Sequence, residues 1–178
     1  MLSTILKKRL SASQFANIFI NVIYETTEKG FEVVSDMINS DPAFITSPEI
    51  KIENFEPFQL IVLSANFRNL DKKFDSQELE DIKTTIISKL AVIYKTEAKT
   101  ISDVINYYIK LINRVNHPSK NMLYGMSKAL FNKYELNDFQ DEYFKRLQAP
   151  NPLFLKRMDN IMVNFLWDWE SFMKKYRV

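Results

Sequence analysis

The chain has very little glycine and no cysteine, and each scarcity excludes classes of function. Gly30 and Gly125 are its two glycines in 178 residues, against roughly twelve at average usage. Phosphate-binding loops and dinucleotide turns need clustered glycines, because the backbone must approach the phosphates closely. Without cysteine there is no disulfide, no thiolate nucleophile and no thiolate-bound metal. The shortage of glycine also predicts few left-handed turns.

Histidine is nearly as scarce. His117 is the only one in the sequence, which excludes metal sites built from several histidines. Pro118 disfavours helix at the residue before it, so we predict that His117 lies in a turn between helices. Four acids at helical intervals, beginning at Glu25 and ending at Asp36, are interpreted as a solvated helix face. We therefore expect no metal and no other cofactor.

One pair of residues has the spacing of a known catalytic pair. Tyr124 and Lys128 are separated by three residues, as in short-chain dehydrogenases, where the lysine lowers the pKa of the phenol. Those enzymes also need a strand followed by a glycine-rich nucleotide turn, and this sequence has neither. We interpret Tyr124 and Lys128 as ordinary helix residues and expect a protein that is not an enzyme.

Length and composition predict one soluble domain. With 46% hydrophobic and 26% charged residues, the chain is large enough to close around one core without a metal or a disulfide. No run of residues approaches the eighteen or more apolar residues of a membrane span. We predict a single helical domain over residues 1–178, and the lack of cysteine fits a cytoplasmic location.

Apolar spacing is helical along most of the chain and predicts an all-α fold, an irregular bundle of six to eight helices. Ser11, Asp75 and Asn151 have the positions of N-caps, the first two with Gln or Glu three residues later. Thr100 and Ser119 suggest two further helix starts.

The end of the chain is the most aromatic helical segment. The spacing predicts one helix from Asn151 to about Tyr176, apolar over most of its circumference. Trp167 and Trp169 would point about 200° apart on such a helix. We predict that one of them faces a partner, because large aromatic residues are favoured at interfaces. The candidate surface for a partner or ligand consists of Phe165, Trp167, Trp169 and Met173.

Positive charge is concentrated in the second half of the chain. Residues 1–89 carry ten Lys/Arg and thirteen Asp/Glu, a net of −3, whereas residues 90–178 carry fourteen and nine, a net of +5. Residues 104–134 contain no acid. Tyrosines are interleaved with the cations of this segment, a combination that binds phosphates and stacks on bases. The candidate nucleic-acid contacts are Lys110, Arg114, Lys120 and Lys128.

Three functions are compatible with these patterns. The leading hypothesis is a non-enzymatic protein-interaction or regulatory protein, which contacts a protein partner or a second copy through its aromatic C-terminal helix. The alternative is a nucleic-acid-binding regulator that uses the basic helical pair over residues 104–134. A weaker alternative is an apolar-ligand pocket lined by Phe165, Trp169 and Met173.

Overall fold

The protein is an all-α bundle, as predicted. A computed structural model describes residues 7–178, and the first six residues of the predicted domain lie outside this range. The described residues contain eight α-helices, the upper end of the expected number. The helices are α1 (Ala12–Ser40), α2 (Phe55–Asn69), α3 (Ser76–Ile93), α4 (Ala98–Asn116), α5 (Met122–Lys133), α6 (Glu142–Leu147), α7 (Pro152–Met162) and α8 (Trp169–Lys175).

Short elements connect the helices. Two-residue strands, β1 (Lys8–Arg9) and β2 (Tyr176–Arg177), pair in parallel. They bring the beginning of α1 next to the end of α8. Single 3₁₀ turns cover Ile52–Asn54, Leu70–Lys72, Leu136–Phe139 and Val163–Phe165.

Local capping explains where several helices begin. The Ser11 hydroxyl accepts from the Gln14 amide, and the Gln14 side chain accepts from the Ser11 amide, so the predicted capping box is confirmed. Asp75 and Asn151 also cap their helices as predicted. Each cap satisfies amides that have no partner within the helix.

Two predicted helix starts are wrong. α4 begins at Ala98, ahead of the predicted Thr100. Asn121, and not Ser119, caps α5, because the Asn121 side chain accepts from the Tyr124 amide. The Ser119 hydroxyl accepts instead from the Asn121 amide and so shapes the turn before the cap.

α2 lies at the centre of the fold. Nine of its fifteen residues are buried, and they cover the full circumference of the helix. It packs against α1, α4 and α5. α3 contacts both α1 and α4, and α7 contacts α5. The buried hydrophobic residues of all these helices form one cluster, which is the arrangement expected when an apolar helix is surrounded by amphipathic ones.

The glycines are not used for turns. Among the described residues, the left-handed backbone conformation is adopted by Glu49, Lys95, Glu135 and Gln148, and by no glycine. Left-handed residues in the described range are few, as expected, but none of them is a glycine. Lys95, Glu135 and Gln148 lie within two residues of the ends of α3, α5 and α6, where glycine is usual because a Cβ atom is strained there.

Gly30 and Gly125 instead permit close packing between elements. A Cβ atom on Gly30 would collide with the Phe165 ring, and one on Gly125 would lie 2.6 Å from Cγ2 of Ile112. Gly30 lies inside α1 and Gly125 inside α5. Each glycine therefore gives room to a side chain of a neighbouring segment.

The prediction of one long C-terminal helix is wrong. α7 ends at Met162, a 3₁₀ turn follows, and α8 begins only at Trp169. Asp168 starts the new helix, because its carboxylate accepts from the Ser171 amide. The hydrogen bond from the Ser171 amide also keeps the pKa of Asp168 below its usual range.

The polar helix face on α1 is exposed as predicted. Glu25, Glu28, Glu32 and Asp36 all lie on the surface. Within residues 7–178 no group of three or more potential metal ligands comes together. None of the helices in the same range is both long enough and apolar enough to cross a membrane.

Candidate functional site

Two of the four predicted partner residues, Trp167 and Trp169, lie in an aromatic cluster that they form with Phe15, Phe19 and Phe172. The two tryptophan rings stack on each other with centroids 5.3 Å apart and planes 19° apart. Trp167 also stacks on Phe19 at 5.2 Å, and Trp169 on Phe15 at 6.2 Å. The prediction that the tryptophans point in different directions is wrong, because the helix breaks between α7 and α8.

Asn66 fixes the turn that carries Trp167. Its amide group, buried within α2, donates to the Phe165 carbonyl at 2.8 Å and accepts from the Trp167 amide at 2.8 Å. Phe165 is itself buried and packs edge-to-face on Phe58, with centroids 4.9 Å apart. The turn is therefore held by the central helix of the bundle.

The aromatic cluster is packed against the chain itself. Trp167, Trp169 and Met173 are partly buried against the core. The indole Nε1 of Trp169 is buried and has no hydrogen-bond partner, and the Lys73 ammonium lies 5.9 Å from the centre of a Trp169 ring. The structure stacks Trp167 and Trp169 on each other, whereas Phe165 packs on Phe58 and Met173 against the core, so all four contact other parts of this chain. Their use for a partner or an apolar ligand stays a prediction.

The second predicted site lies on α4 and the turn that follows it. Tyr107, Lys110 and Arg114 are exposed on this amphipathic helix, and their spacing of three and four residues places them on one face. His117 continues the same face into the turn and is exposed, as predicted for a residue between helices. The buried side of α4 is apolar, so this row of polar residues necessarily faces solvent.

The turn closes one side of a cleft that contains several cations. This basic cleft, defined by Arg68, Lys72, His117 and Lys120, has a volume of about 560 Å³. Arg68 comes from the end of α2, Lys72 from the 3₁₀ turn after it, and the other two from the α4–α5 turn. Two distant segments of the chain therefore supply its positive charge. The remaining lining residues are Asp71, Asn113, Pro118, Ser119 and Met122.

Asp71 is the one carboxylate among the described residues that line the basic cleft. It is already paired twice, with Arg68 and with Lys83 of α3. Lys83 thus adds a further cation next to the cleft. Because Arg68, Lys72 and Lys120 line the cleft with this one carboxylate, its net charge is positive even after the Arg68–Asp71 pair is discounted.

Lys128 does not join the exposed basic residues. Its ammonium donates to Oδ1 of Asn116 at 3.0 Å, and Asn116 is buried at the end of α4. The Asn116 amide in turn donates to the Asn121 carbonyl at 2.7 Å. Of the four predicted nucleic-acid contacts, Lys110, Arg114 and Lys120 are therefore exposed, whereas Lys128 helps to hold the turn.

A carboxylate of α7 lies close to this polar group. Asp159 accepts from the Ser127 hydroxyl at 2.5 Å. Burial raises the pKa of the Asp159 carboxyl, and the Ser127 hydrogen bond and the Lys128 charge oppose that shift only in part. The contact links α7 to the middle of α5, immediately beside Lys128.

Tyr107 marks the other end of the exposed row on α4. The Lys133 ammonium lies 5.4 Å from the ring centres of both Tyr107 and Tyr108. Burial, and then the charge of Glu56, raises the pKa of the Tyr108 phenol. Glu56 thus brings negative charge to this end of the row, where Lys133 brings a positive one.

Sequence reasoning missed Arg68, Lys72 and Lys83. All three lie in the acidic half of the chain, more than thirty residues before Lys120. Their local pattern is that of ordinary cations near a helix end or on a helix surface. Only the packing of α2 against α4 and α5 shows that Arg68 and Lys72 meet the α4–α5 turn.

Comparison with known proteins gave no relative: no family model, no curated protein and no solved structure matches this chain.

Proposed function

We propose that this protein binds nucleic acid through the basic cleft and the adjoining exposed face of α4. One observation carries the proposal: cations from separate segments converge on one surface, although they are far apart in the sequence. Arg68, Lys72 and Lys120 line the basic cleft. Lys110 and Arg114 extend its charge along α4.

The chemistry of the surface favours a polyanion. Lysine and arginine neutralise phosphates and release their condensed counterions, which supplies most of the affinity of non-specific nucleic-acid binding. Arginine adds a planar group that donates two parallel hydrogen bonds to one phosphate. The polar Asn113 and Ser119 side chains beside the cations are suitable donors to the same backbone.

The test is a titration of a fluorescently labelled, mixed-sequence oligonucleotide at several salt concentrations. The double variant Arg114→Glu/Lys120→Glu is expected to lose at least tenfold in affinity at low salt. The slope of log K against log salt should become shallower by about one to two, because two phosphate contacts are removed.

A charge-matched control distinguishes the loss of charge at the basic cleft from the change in the net charge of the protein. Lys156→Glu/Lys175→Glu makes the same change in net charge on α7 and α8, at two exposed residues outside the basic cleft. It should retain most of the affinity and the original slope. Absence of binding by the unmodified protein at low ionic strength, or an equal loss in both double variants, would contradict the proposal.

A further inference from the structure

An exposed aromatic side chain lies in line with the cations of α4. Tyr107 is 52% exposed, and Lys110 and Arg114 follow it at intervals of three and four residues. These intervals place the phenol and the two cations on the same face. A ring exposed this far at the end of a charged row is available to stack on a base.

The Tyr107 ring is held by its neighbours. Tyr108 packs against it edge-to-face, with centroids 5.2 Å apart and planes 86° apart. The Lys133 ammonium lies 5.4 Å from the centre of the Tyr107 ring. The ring is thus oriented before any ligand binds, which lowers the entropy lost on stacking. Lys133 adds a further positive charge beside it.

The distance from Tyr107 to the basic cleft suits a short strand. Ten residues separate Tyr107 from His117 at the cleft, which corresponds to about 15 Å along a helix. At about 3.4 Å for each nucleotide of a stacked strand, this length holds about four nucleotides. Arg114 and Lys110 lie along the path and can each meet a phosphate.

We infer that the nucleic acid is single-stranded and that one of its bases stacks on Tyr107. This inference rests on the proposed function and names the form of nucleic acid that the surface takes. In a duplex the faces of the bases are covered by neighbouring pairs, so an exposed ring has only edges and backbone to contact. A single strand presents its base faces, and stacking on aromatic rings together with a cationic path along the backbone is the usual mode of binding it.

The experiment compares three forms of one labelled twelve-nucleotide sequence: the single strand, its duplex, and a single strand with abasic residues. The unmodified protein should bind the single strand at least fivefold more tightly than either of the other two. Tyr107→Ala should lose about five- to a hundredfold on the single strand, the range measured for stacking of one base. The same variant should lose little on the abasic strand, because no base remains to stack.

Two variants control for indirect effects. Tyr107→Phe keeps the ring and should retain most of the affinity, whereas a role of the hydroxyl would make it behave like Tyr107→Ala. Tyr143→Ala removes another exposed tyrosine, on α6, and should bind like the unmodified protein. Thermal unfolding should be nearly the same in all three variants, because these side chains are exposed.

The outcomes separate the inference from the function on which it rests. Equal binding of duplex and single strand, or full affinity in Tyr107→Ala, overturns the single-strand inference. If Arg114→Glu/Lys120→Glu still weakens binding in that case, the proposed function stands. If no form of the oligonucleotide binds at low salt, the proposed function itself fails.

Discussion

The aromatic cluster and the basic cleft differ in what their side chains contact. In the aromatic cluster, side chains from α1 and from the C-terminal segment stack on one another, so they contact other residues of this chain. In the basic cleft, residues from α2 and the α4–α5 turn surround about 560 Å³ of accessible space. The most aromatic segment therefore supports the fold, whereas the basic segment, with fewer aromatic residues, has room for a ligand.

The largest effect that tests this comparison is expected from Trp167→Ala. Trp167 stacks on Phe15, Phe19 and Trp169, so its removal should lower the free energy of unfolding by about 3–5 kcal/mol. Urea denaturation followed by circular dichroism measures the loss. Leu153→Ala, an exposed leucine on α7, serves as the control and should change stability by less than about 0.5 kcal/mol.

The same variant also tests the partner surface predicted from the sequence. If Trp167→Ala keeps its stability but loses self-association or partner binding, Trp167 acts at an interface and the comparison is overturned. If it is destabilised and the folded fraction binds nucleic acid normally, the two regions are independent. Size-exclusion chromatography and the oligonucleotide titration supply these two measurements.

A smaller effect is expected from Gly125→Ala, which alters packing beneath the basic region. The added Cβ atom would lie 2.6 Å from Cγ2 of Ile112, and such overpacking costs about 1–3 kcal/mol. In an unconstrained helix the same change would stabilise by about 1 kcal/mol. In thermal or urea unfolding, Gly125→Ala therefore lowers the stability if Ile112 obstructs the new methyl group, and raises it if the position is open.

Ile112→Ala supplies the matched partner for a double-mutant cycle. It removes the Cγ2 atom against which the new methyl group would press. The double variant Gly125→Ala/Ile112→Ala should then be destabilised by less than the sum of the two single changes. Strict additivity would show that Gly125 is not needed for the close approach of α4 and α5.

The smallest effect is expected from Asp159→Asn, at the contact between α7 and α5. Burial raises the pKa of Asp159 in the folded state. A raised pKa contributes stability that is complete below the unfolded-state value near 4 and is lost as pH rises through the folded-state value. The unmodified protein should therefore lose stability over this interval, and Asp159→Asn should lose less. Urea unfolding at pH 3.5 to 7 measures the difference between the two curves.

Ser127→Ala tests how the hydrogen bond from Ser127 affects the loss of stability with rising pH. The Ser127 hydroxyl opposes the shift by donating to Asp159, so its removal should raise the Asp159 pKa further and steepen the loss of stability. An identical pH profile in all three proteins would show that Asp159 is as well solvated as in the unfolded chain.

The parts of the fold that were predictable from sequence depend on local interactions. The sequence pattern predicts the helical structure and the caps at Ser11 and Asn151, because these depend only on neighbours within one turn. The break between α7 and α8 was missed because neither glycine nor proline marks it. Asp168, which caps α8, was the one available signal, and it stands between two tryptophans that suggest a continuous apolar helix.

The candidate site was predictable only in part, for the same physical reason. Lys110 and Arg114 share a face because the helical repeat fixes their relation. Lys128 has a similar pattern, but it turns to Asn116, and this contact depends on how α4 packs against α5. Arg68 and Lys72 enter the basic cleft through packing between elements that lie far apart in the sequence.

The pairing of β1 with β2 has a consequence for the order of folding. The Leu10 amide donates to the Arg177 carbonyl at 2.8 Å, which joins residues near opposite ends of the described range. Closing so long a loop has a large entropic cost, and contacts of this kind slow folding. The α4–α5 hairpin joins near neighbours in the sequence and should form early. The segment that carries Trp167 and Trp169 should dock last, which makes the α4–α5 hairpin an early product of folding and the aromatic contacts its final step.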